Sequence, residues 1–335
     1  MQIAIIGAGF TGLAVAWHLL QAQSASSIQV TVFDSAGIGG GTSGMAVGLL
    51  HPYAGLHAKL NRFGQEGLAA TLKLLEVASK TLNQPVADLS GMLRLALDDS
   101  QQYDYAKCAG KYSDVEWLDA EQCQSKVKGL VHAPGILIKS ALTVNCQLYL
   151  KGLWLACSQR GVKLECSFIK SLQELNSFDL IIAATGGLTK SIRELTHLPI
   201  TEVKGQILEF APPHTFSSLS LPLNNQAYLL QDPITKTFLA GATFEKNFSS
   251  TEPEPSVAIQ EIMPRIKAFL PAFENVQILS CRSGIRASTP KHLPLIEKIS
   301  PRCWTLTGMG SKGLLYHALY AERLISEILS TNFKL

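Results

Sequence analysis

The sequence has few charged residues, no long apolar run and no cysteine pair at a metal-binding or redox spacing. Of its 335 residues, 16% are charged and 47% are apolar. This balance excludes an intrinsically disordered chain and favours a well-packed globular protein with one large domain or two smaller ones. The net charge of +3 neither requires nor excludes a polyanionic partner.

The seven cysteines are scattered along the chain, without a C-x-x-C pair or a His/Cys cluster. Such a set is typical of reduced core thiols, so we expect neither a disulfide framework nor a metal site. No apolar run approaches about 18 residues and no secretory signal pattern is visible, which predicts no membrane span and a cytoplasmic location. No Ser-His-Asp set or carboxylate pair is recognisable, which disfavours hydrolytic catalysis.

The clearest positive signal is a strand, a glycine-rich turn and a helix at the start of the chain. The apolar run Ile3–Ile6 leads into GAGFTG (7–12), which fits G-x-G-x-x-G, and Leu13–Gln21 is predicted to be a helix. A second predicted strand, Ile28–Phe33, ends in Asp34 at about the 20-residue spacing of this fingerprint. The whole pattern predicts that the turn binds an adenine dinucleotide.

Each residue type in the fingerprint has a physical task. Gly7 permits the tight turn, Gly9 lets the backbone approach a pyrophosphate, and Gly12 lets the helix pack against the strand. Free amides at the helix start favour phosphate charge, and Asp34 would accept hydrogen bonds from a ribose. The cofactor contacts predicted here are Gly7, Gly9, Phe10, Thr11, Gly12, Asp34 and Ser35.

A glycine-rich arm, SAGIGGGTSGMAVGLLHP (35–52), follows Asp34. Consecutive glycines let backbone amides surround a phosphate or a flat ring system without side-chain clashes. A nicotinamide enzyme would normally continue its sheet here, whereas an extended arm suits a long, enclosed flavin. We therefore predict FAD as the cofactor, with a flexible surface loop as the alternative interpretation of the arm.

From this arm onward the sequence resembles the D-amino-acid oxidase/glycine oxidase superfamily of FAD enzymes. The likeness rests on Gly41, Thr42 and Ser43, VKGQILEF (203–210), FLAGATFE (238–245), CRSGIRASTPKHLPLIEKI (281–299) and CWTLTGMGSKGLLYHALYAERLISEIL (303–329). Within the superfamily, LNRF (60–63), GSKGL (310–314) and RASTPKHLP (286–294) are most similar to the oxidoreductase domain of the bifunctional tRNA 5-methylaminomethyl-2-thiouridine biosynthesis proteins. One departure is that Lys291 and His292 replace the acid of the family motif.

The predicted fold is α/β, with two interleaved domains. The resemblance implies a doubly wound, Rossmann-like FAD-binding domain of residues 1–85, 140–200 and 281–335, and a mixed-sheet substrate domain of residues 86–139 and 201–280. Strands at 202–210, 226–231 and 237–244 have no helix between them, which predicts antiparallel pairing. Residues 142–160 are predicted to be one helix, and 98–128 to be small helices and loops.

Further FAD contacts are implied in the arm, after a central strand and before the C-terminal helix. They are Gly41, Thr42, Ser43, Gly48, Thr185, Gly186, Gly308, Gly310, Ser311, Lys312, Gly313 and Leu314. The amides and dipole of that helix would stabilise negative charge on the reduced flavin. Lys312 would add a positive charge there or meet the substrate; the alternative is a solvated lysine at a turn.

Arg286, Lys312 and Tyr228 are the catalytic candidates. Arg286 matches the substrate-binding arginine of the family, and a guanidinium can grip a carboxylate with two parallel hydrogen bonds. Arg282 is the competing candidate, and one of the two arginines would then pair with an acid. Tyr228 is either a cap on the substrate pocket or an ordinary half-buried tyrosine, and His51 is interpreted as a structural histidine.

The predicted function is FAD-dependent oxidation of the Cα–N bond of a carboxylated amine, such as glycine, a D-amino acid or an N-substituted glycine. A hydride would pass from Cα to flavin N5 and water would hydrolyse the resulting imine. The resemblance also implies an alternative, oxidative removal of the carboxymethyl group from a tRNA wobble 5-carboxymethylaminomethyl-2-thiouridine, with tRNA as the partner. The replaced acid keeps a third hypothesis open, a flavin-binding protein without turnover.

Overall fold

The computed structural model describes residues 1–22, 28–213, 216, 218–232 and 234–331, which form two large sheets and their covering helices. The helices are α1 (Phe10–Ala22), α2 (Thr42–Met45), α3 (Gly64–Leu82), α4 (Asp99–Lys111), α5 (Ala120–Lys126), α6 (Cys146–Ser158), α7 (Pro255–Lys267) and α8 (Gly313–Ser330). Within the described ranges, none of these helices has the length and apolar character that a bilayer crossing requires.

The strands are short, apart from two long ones in the second half of the chain. They are β1 (Gln2–Ile6), β2 (Gln29–Phe33), β3 (Leu49–Leu50), β4 (Tyr53–Ala54), β5 (Lys59–Leu60), β6 (Ala87–Asp88), β7 (Met92–Leu95), β8 (Val115–Leu118), β9 (Gly135–Ile138), β10 (Leu142–Val144), β11 (Lys163–Glu165), β12 (Leu180–Ala183), β13 (Thr201–Phe210), β14 (Leu223–Asn224), β15 (Tyr228–Gln231), β16 (Phe238–Gly241), β17 (Ile278–Ser288), β18 (Leu295–Ser300) and β19 (Cys303–Thr307).

The first large sheet has the strand order β11-β2-β1-β12-β19-β18, and all its pairings are parallel except that of β18 with β19. Helices α1 and α8 pack on one face, where Ile5 and Val32 belong to the main apolar cluster, and α3 and α6 pack against these helices. The other face is covered by 3-10 turns and loops that supply Leu172 and Leu195. Burial on both faces explains why the central strands β1 and β12 are almost entirely apolar.

The second large sheet has the order β17-β13-β16-β15-β14-β7-β9-β8 and is antiparallel except at β14 and β7. The predicted antiparallel strands near 202–210, 226–231 and 237–244 are therefore confirmed. Helix α7 covers one face, where Leu208 and Phe210 pack with Ile262 and Ile266. The α/β fold with a doubly wound sheet and a second, mixed sheet is confirmed.

Strand β17 belongs to the second sheet, because it pairs with β13 from Thr201–Ser288 to Phe210–Ile278. The predicted domain boundary at residue 281 falls inside this strand. The boundaries stay a prediction, and sheet membership alone would group residues 278–288 with the substrate domain rather than with the FAD-binding domain.

Two predictions of secondary structure were wrong in detail. The predicted helix 142–160 starts as strand β10, which pairs with β3 and β6, and α6 begins only at Cys146. Asn145 separates the two elements, because its side chain accepts a hydrogen bond of 3.0 Å from the amide of Leu148 and caps the helix. The polar stretch 98–128 also contains strand β8, whose partner β9 is the stronger apolar segment.

A buried aromatic cluster fixes α8 against α1 and α6. The Tyr149 hydroxyl lies 2.6 Å from His317 Nε2, while His317 Nδ1 lies 3.0 Å from the carbonyl of Gly313 in the first turn of α8. Because Nδ1 faces carbonyl acceptors it carries the proton, and Nε2 accepts from the hydroxyl. The ring of Phe10, in the glycine-rich turn, lies 5.3 Å from that of His317. The cluster therefore links the starts of two helices.

We expect His317 to make the protein less stable at acid pH. Burial lowers the pKa of His317 from 6.5 to about 4. Between these values the unfolded chain binds a proton that the folded chain excludes, so stability falls by about 2–3 kcal/mol as pH drops. Urea unfolding of the holoenzyme from pH 7 to pH 4.5 should show a smaller loss for His317→Gln than for wild type. His132→Gln, at an exposed side chain, is the control. If the free energy of unfolding fell equally with pH in all three proteins, His317 would not be the cause of the loss.

Candidate active site

The predicted cofactor residues follow the carboxyl ends of the parallel strands of the first sheet. The turn 7–12 follows β1, Asp34 follows β2, Thr185 follows β12 and Gly308 follows β19. These strands are neighbours and run in the same direction, so their carboxyl ends meet at one edge. In open α/β sheets, ligands bind at such an edge.

The glycine-rich turn is packed so closely that its glycines are needed by the fold itself. A Cβ on Gly12 would lie 1.8 Å from the carbonyl oxygen of Gly7, and one on Gly9 would lie 2.7 Å from Ser43 Oγ. Ser43 Oγ also accepts a hydrogen bond of 3.1 Å from the amide of Phe10. The arm is therefore fastened directly to the turn, which brings two of the predicted contact groups together.

Asp34 lies between the turn and the arm. Its carboxylate accepts one hydrogen bond of 2.8 Å from the amide of Ala8 and one of 2.9 Å from the amide of Ala36. A carboxylate offers about four acceptor positions, so both oxygens keep capacity for ribose hydroxyls. This geometry agrees with the predicted role of Asp34.

A pocket beside Asp34 has a wall that the sequence did not reveal. Gly7, Asp34, Ser35 and Thr185 line it together with residues from loops after β11 and β12, namely Ser167, Phe168, Ile169, Leu188 and Ile192. Phe168 and Leu188 are 43% and 52% exposed, so both present apolar surface to this pocket. The sequence indicated Thr185 and Gly186 after β12, but it gave no signal for Phe168 or Leu188, which only the fold places here.

The arm and the C-terminal loop both meet β17. Thr42 Oγ1 donates a hydrogen bond of 2.8 Å to the carbonyl of Ile285, and Ser288 and Met309 form an isolated β-bridge. A Cβ on Gly41 or Gly186 would meet no atom within 4 Å, so the backbone at both positions borders open space. Gly48, by contrast, is required by packing, since its Cβ would lie 1.8 Å from the carbonyl of Val144.

The α8 end of the site contains the remaining predicted residues. Gly308 and Gly310 have φ values of +78° and +57°, and Gly310, Ser311 and Lys312 form a 3-10 turn that continues into α8 at Gly313 and Leu314. Lys312 Nζ donates a hydrogen bond of 3.2 Å to the carbonyl of His292. Burial lowers the pKa of Lys312. Its amine is therefore anchored to the loop after β17.

Arg286 and Tyr228 lie on the face of the second sheet opposite α7. Strand register fixes this, because Arg282 pairs with Ile207, Ile207 with Gly241 and Gly241 with Tyr228, and directly paired residues share a face. Arg286 follows Arg282 by four residues on the same strand and so shares its face.

Two glycines make room for these side chains. A Cβ on Gly205 would lie 2.0 Å from Arg286 Nη2, and one on Gly241 would lie 2.5 Å from the Tyr228 hydroxyl oxygen. The guanidinium and the phenol therefore rest directly on the backbone of neighbouring strands. A glycine inside a strand can indicate such a close approach, so Gly205 in VKGQILEF was a readable signal.

The guanidinium of Arg286 is partly buried and has no acidic partner in the part of the chain that the structure describes. Among the described residues, no carboxylate oxygen lies within 4.0 Å of it, and its Nη1 donates a hydrogen bond of 3.3 Å to the carbonyl of Thr243. Burial lowers the pKa of Arg286, while Tyr228 and Glu245 raise it. Burial raises the pKa of Tyr228, so its hydroxyl stays protonated at neutral pH.

Arg282 and His51 complete this face. Arg282 Nε is buried without a hydrogen-bond partner in the described part of the chain. His51 Nε2 lies 3.1 Å from the side-chain nitrogen of Asn224, next to Tyr228 in the sheet. Burial, and then the charge of Arg94, lower the pKa of His51 to about 3, so the ring is neutral.

Comparison with known proteins identifies the family. The model of the DAO family, described as FAD dependent oxidoreductase, matches residues 2–327. The chain belongs to this family. The predicted recognition of the superfamily is confirmed, as are FAD as its cofactor and oxidoreductase as its enzyme class.

Individual proteins that are similar to this chain are consistent with the family assignment. A tRNA 5-methylaminomethyl-2-thiouridine biosynthesis bifunctional protein from Polaromonas naphthalenivorans is 27% identical over 97% of the chain and 56% of the relative, so the chain spans little more than half of that protein. Glycine oxidase from Geobacillus kaustophilus has a TM-score of 0.80 at 19% identity, covering 98% and 94% of the two chains. Iminodiacetate oxidase from Chelativorans sp. BNC1 has a TM-score of 0.79 at 19% identity, covering 98% and 95%.

The residues present fit FAD. The turn 7–12 and the start of α1 would hold the pyrophosphate, Asp34 the ribose, and the pocket lined by Phe168 and Leu188 an adenine ring. Open space beside Gly41 and Gly186 gives the cofactor a path along the edge of the sheet. The dipole of α8 can stabilise negative charge on a ring placed before it.

Gly12→Ala should abolish FAD binding, because its methyl group would collide with the carbonyl of Gly7 and displace α1 from the turn. The measurement is flavin absorbance per mole of purified protein. Gly110→Ala is the matched control, since an added Cβ there meets no atom within 4 Å. A Gly12→Ala protein with wild-type flavin content would contradict the assigned turn.

Proposed function

We propose that this chain oxidises the Cα–N bond of a small carboxylated amine, such as glycine, a D-amino acid or an N-substituted glycine. The observation that carries the proposal is the partly buried guanidinium of Arg286, which lacks an acidic partner in the described part of the chain. A buried cation is expensive unless an anion completes it, and a substrate carboxylate would do so.

The chain's own residues would bind and orient the substrate. Arg286 would hold the carboxylate with two parallel hydrogen bonds, and Gly205 leaves the space that the guanidinium occupies. The protonated hydroxyl of Tyr228 is a further donor on the same face, and Arg282 adds positive charge. FAD, when bound, would accept the hydride from Cα, and the substrate imine would then hydrolyse.

The role proposed for Lys312 is electrostatic. Lys312 is hydrogen-bonded to His292 beside the start of α8, so it would add positive charge to the dipole of that helix rather than bind the substrate.

All seven cysteines are free thiols. Because reduced cysteines are typical of a reducing compartment, we also propose a cytoplasmic location.

Arg286→Met should raise the KM for a carboxylated amine by about 30-fold or more, since truncating one partner of a buried charge pair costs about 2–5 kcal/mol. Anaerobic bleaching of the flavin by glycine, sarcosine and D-alanine gives the measurement. Flavin content should be unchanged, because Arg286 lies on the second sheet.

Arg265→Met is the matched control, because Arg265 lies on α7 and contacts Glu261 on the opposite side of that sheet. Wild-type KM values in the Arg286→Met protein would remove Arg286 from the substrate site. Failure of every carboxylated amine to bleach the wild-type flavin would reject the proposed substrate class.

A second candidate substrate is a tRNA-borne N-substituted glycine. The observation that favours it is the alignment of several tRNA-modifying bifunctional proteins over 94–99% of this chain. An N-substituted glycine on tRNA has the carboxylate and the secondary amine that the proposed site would recognise. The same Arg286 geometry therefore serves both candidates.

If tRNA is the substrate, tRNA bearing 5-carboxymethylaminomethyl-2-thiouridine should bleach the flavin at micromolar concentration, whereas free amino acids should not. The rate constant kcat/KM for tRNA should also fall steeply between about 50 and 200 mM salt, because bound phosphates release counterions. The same tRNA without the carboxymethyl group is the control. Bleaching by glycine alone, with no response to modified tRNA, would exclude this candidate.

A further inference from the structure

The position of Arg286 depends on a carbonyl that is held from the other side of the sheet. Arg286 Nη1 donates to the carbonyl of Thr243, which follows β16. Gly205 supplies space under the guanidinium but no side chain that could hold it. The orientation of the 243–245 segment therefore sets the direction in which the guanidinium points.

Thr243 is fully buried and fixed by β13. Its hydroxyl oxygen accepts a hydrogen bond of 2.9 Å from the amide of Gln206, and its own amide donates one of 3.2 Å to the carbonyl of Gln206. The hydroxyl donates in turn to Glu245 Oε1 at 2.5 Å. The side chain of Thr243 is thus turned away from Arg286 while its carbonyl faces it.

Glu245 joins this segment to a polar network on the α7 side of β13. Its Oε1 also accepts a hydrogen bond of 3.0 Å from Gln206 Nε2, and its backbone exchanges two bonds of 2.9 Å with Lys204. Gln206 Oε1 accepts from the amide of Glu254, the residue that precedes α7, and the fully buried Lys204 pairs with the Glu254 carboxylate at 2.5 Å. Every member of the network has a partner, as a rigid buried network requires.

We propose that Glu245 is a positioning residue for substrate carboxylates: by holding Thr243 and Gln206 it orients the Thr243 carbonyl, and through it the Arg286 guanidinium. Glu245 does not itself contact the substrate. The inference rests on the proposed function of Arg286. The negative charge of Glu245 also raises the pKa of Arg286, which agrees with a supporting position behind it.

The network defines a test that separates hydrogen bonding from charge. Both side-chain contacts go to one atom, Oε1, so Glu245→Gln can keep them through its amide oxygen, whereas Glu245→Ala loses both. The probe is glycolate, a simple carboxylate, titrated into the oxidised holoenzyme and followed by the change in flavin absorbance. We expect the Kd for glycolate to rise about tenfold in Glu245→Ala and less than about threefold in Glu245→Gln.

Steady-state kinetics give a second readout. Glu245→Ala should raise the KM for the carboxylated amine by the same factor with kcat within about twofold, because uniform binding is lost and hydride transfer is not affected. Glu209→Ala is the matched control: Glu209 lies on β13 and accepts hydrogen bonds from Thr237 and Ser280, at the far end of that strand from Gly205. Its Kd and KM should equal those of wild type.

Thr243→Val provides the same test with a smaller change, in case Glu245→Ala does not fold. It removes the hydroxyl that links Gln206 to Glu245 and should also weaken glycolate binding. Wild-type glycolate affinity in both variants, together with a weakened Arg286→Met protein, would overturn the positioning role and leave the proposed function standing. Loss of FAD from Glu245→Ala, or a fall in its kcat as large as the rise in its KM, would also overturn the positioning role. A wild-type protein that binds no glycolate would reject both proposals.

Discussion

The pairing of β13 with β17 is the contact on which the candidate site depends. One strand of this ladder supplies Gly205 and the other supplies Arg286, so the guanidinium and the space it occupies are set by a single register. The same β17 receives Thr42 of the arm and Met309 of the C-terminal loop. A shift by one residue would turn Arg286 toward α7 and separate both connections from the edge of the first sheet.

A cation that is partly removed from water without an acidic partner usually destabilises a protein, and Arg286 is such a cation among the described residues. The surroundings soften the penalty without cancelling it, through the carbonyl of Thr243 and the more distant charge of Glu245. A group that neutralised Arg286 fully would compete with a substrate acid. Sites that bind ligands commonly retain such a local cost, which the rest of the fold offsets.

The first sheet was predictable from sequence because its signals are local. Strand, glycine turn, helix and Asp34 lie within one short segment, and the structure places them as the spacing indicates. The second sheet was predictable in its antiparallel pairing but not in its contacts. Thr243 acts through a backbone carbonyl, which any residue possesses. At the first sheet, Phe168 and Leu188 could not be predicted either, because neither belongs to a motif. The start of α6 was misjudged because one asparagine outweighs the apolar run before it.

The absence of side chains at Gly205 and Gly241 has a consequence for how this scaffold can change its preferences. A methyl group at either position would lift the guanidinium or the phenol away from the sheet by the thickness of one carbon. The chamber above the strands would become shallower while keeping its charge. Substitutions at Gly205 or Gly241 would therefore change the space available to a substrate carboxylate, although neither residue would contact the substrate.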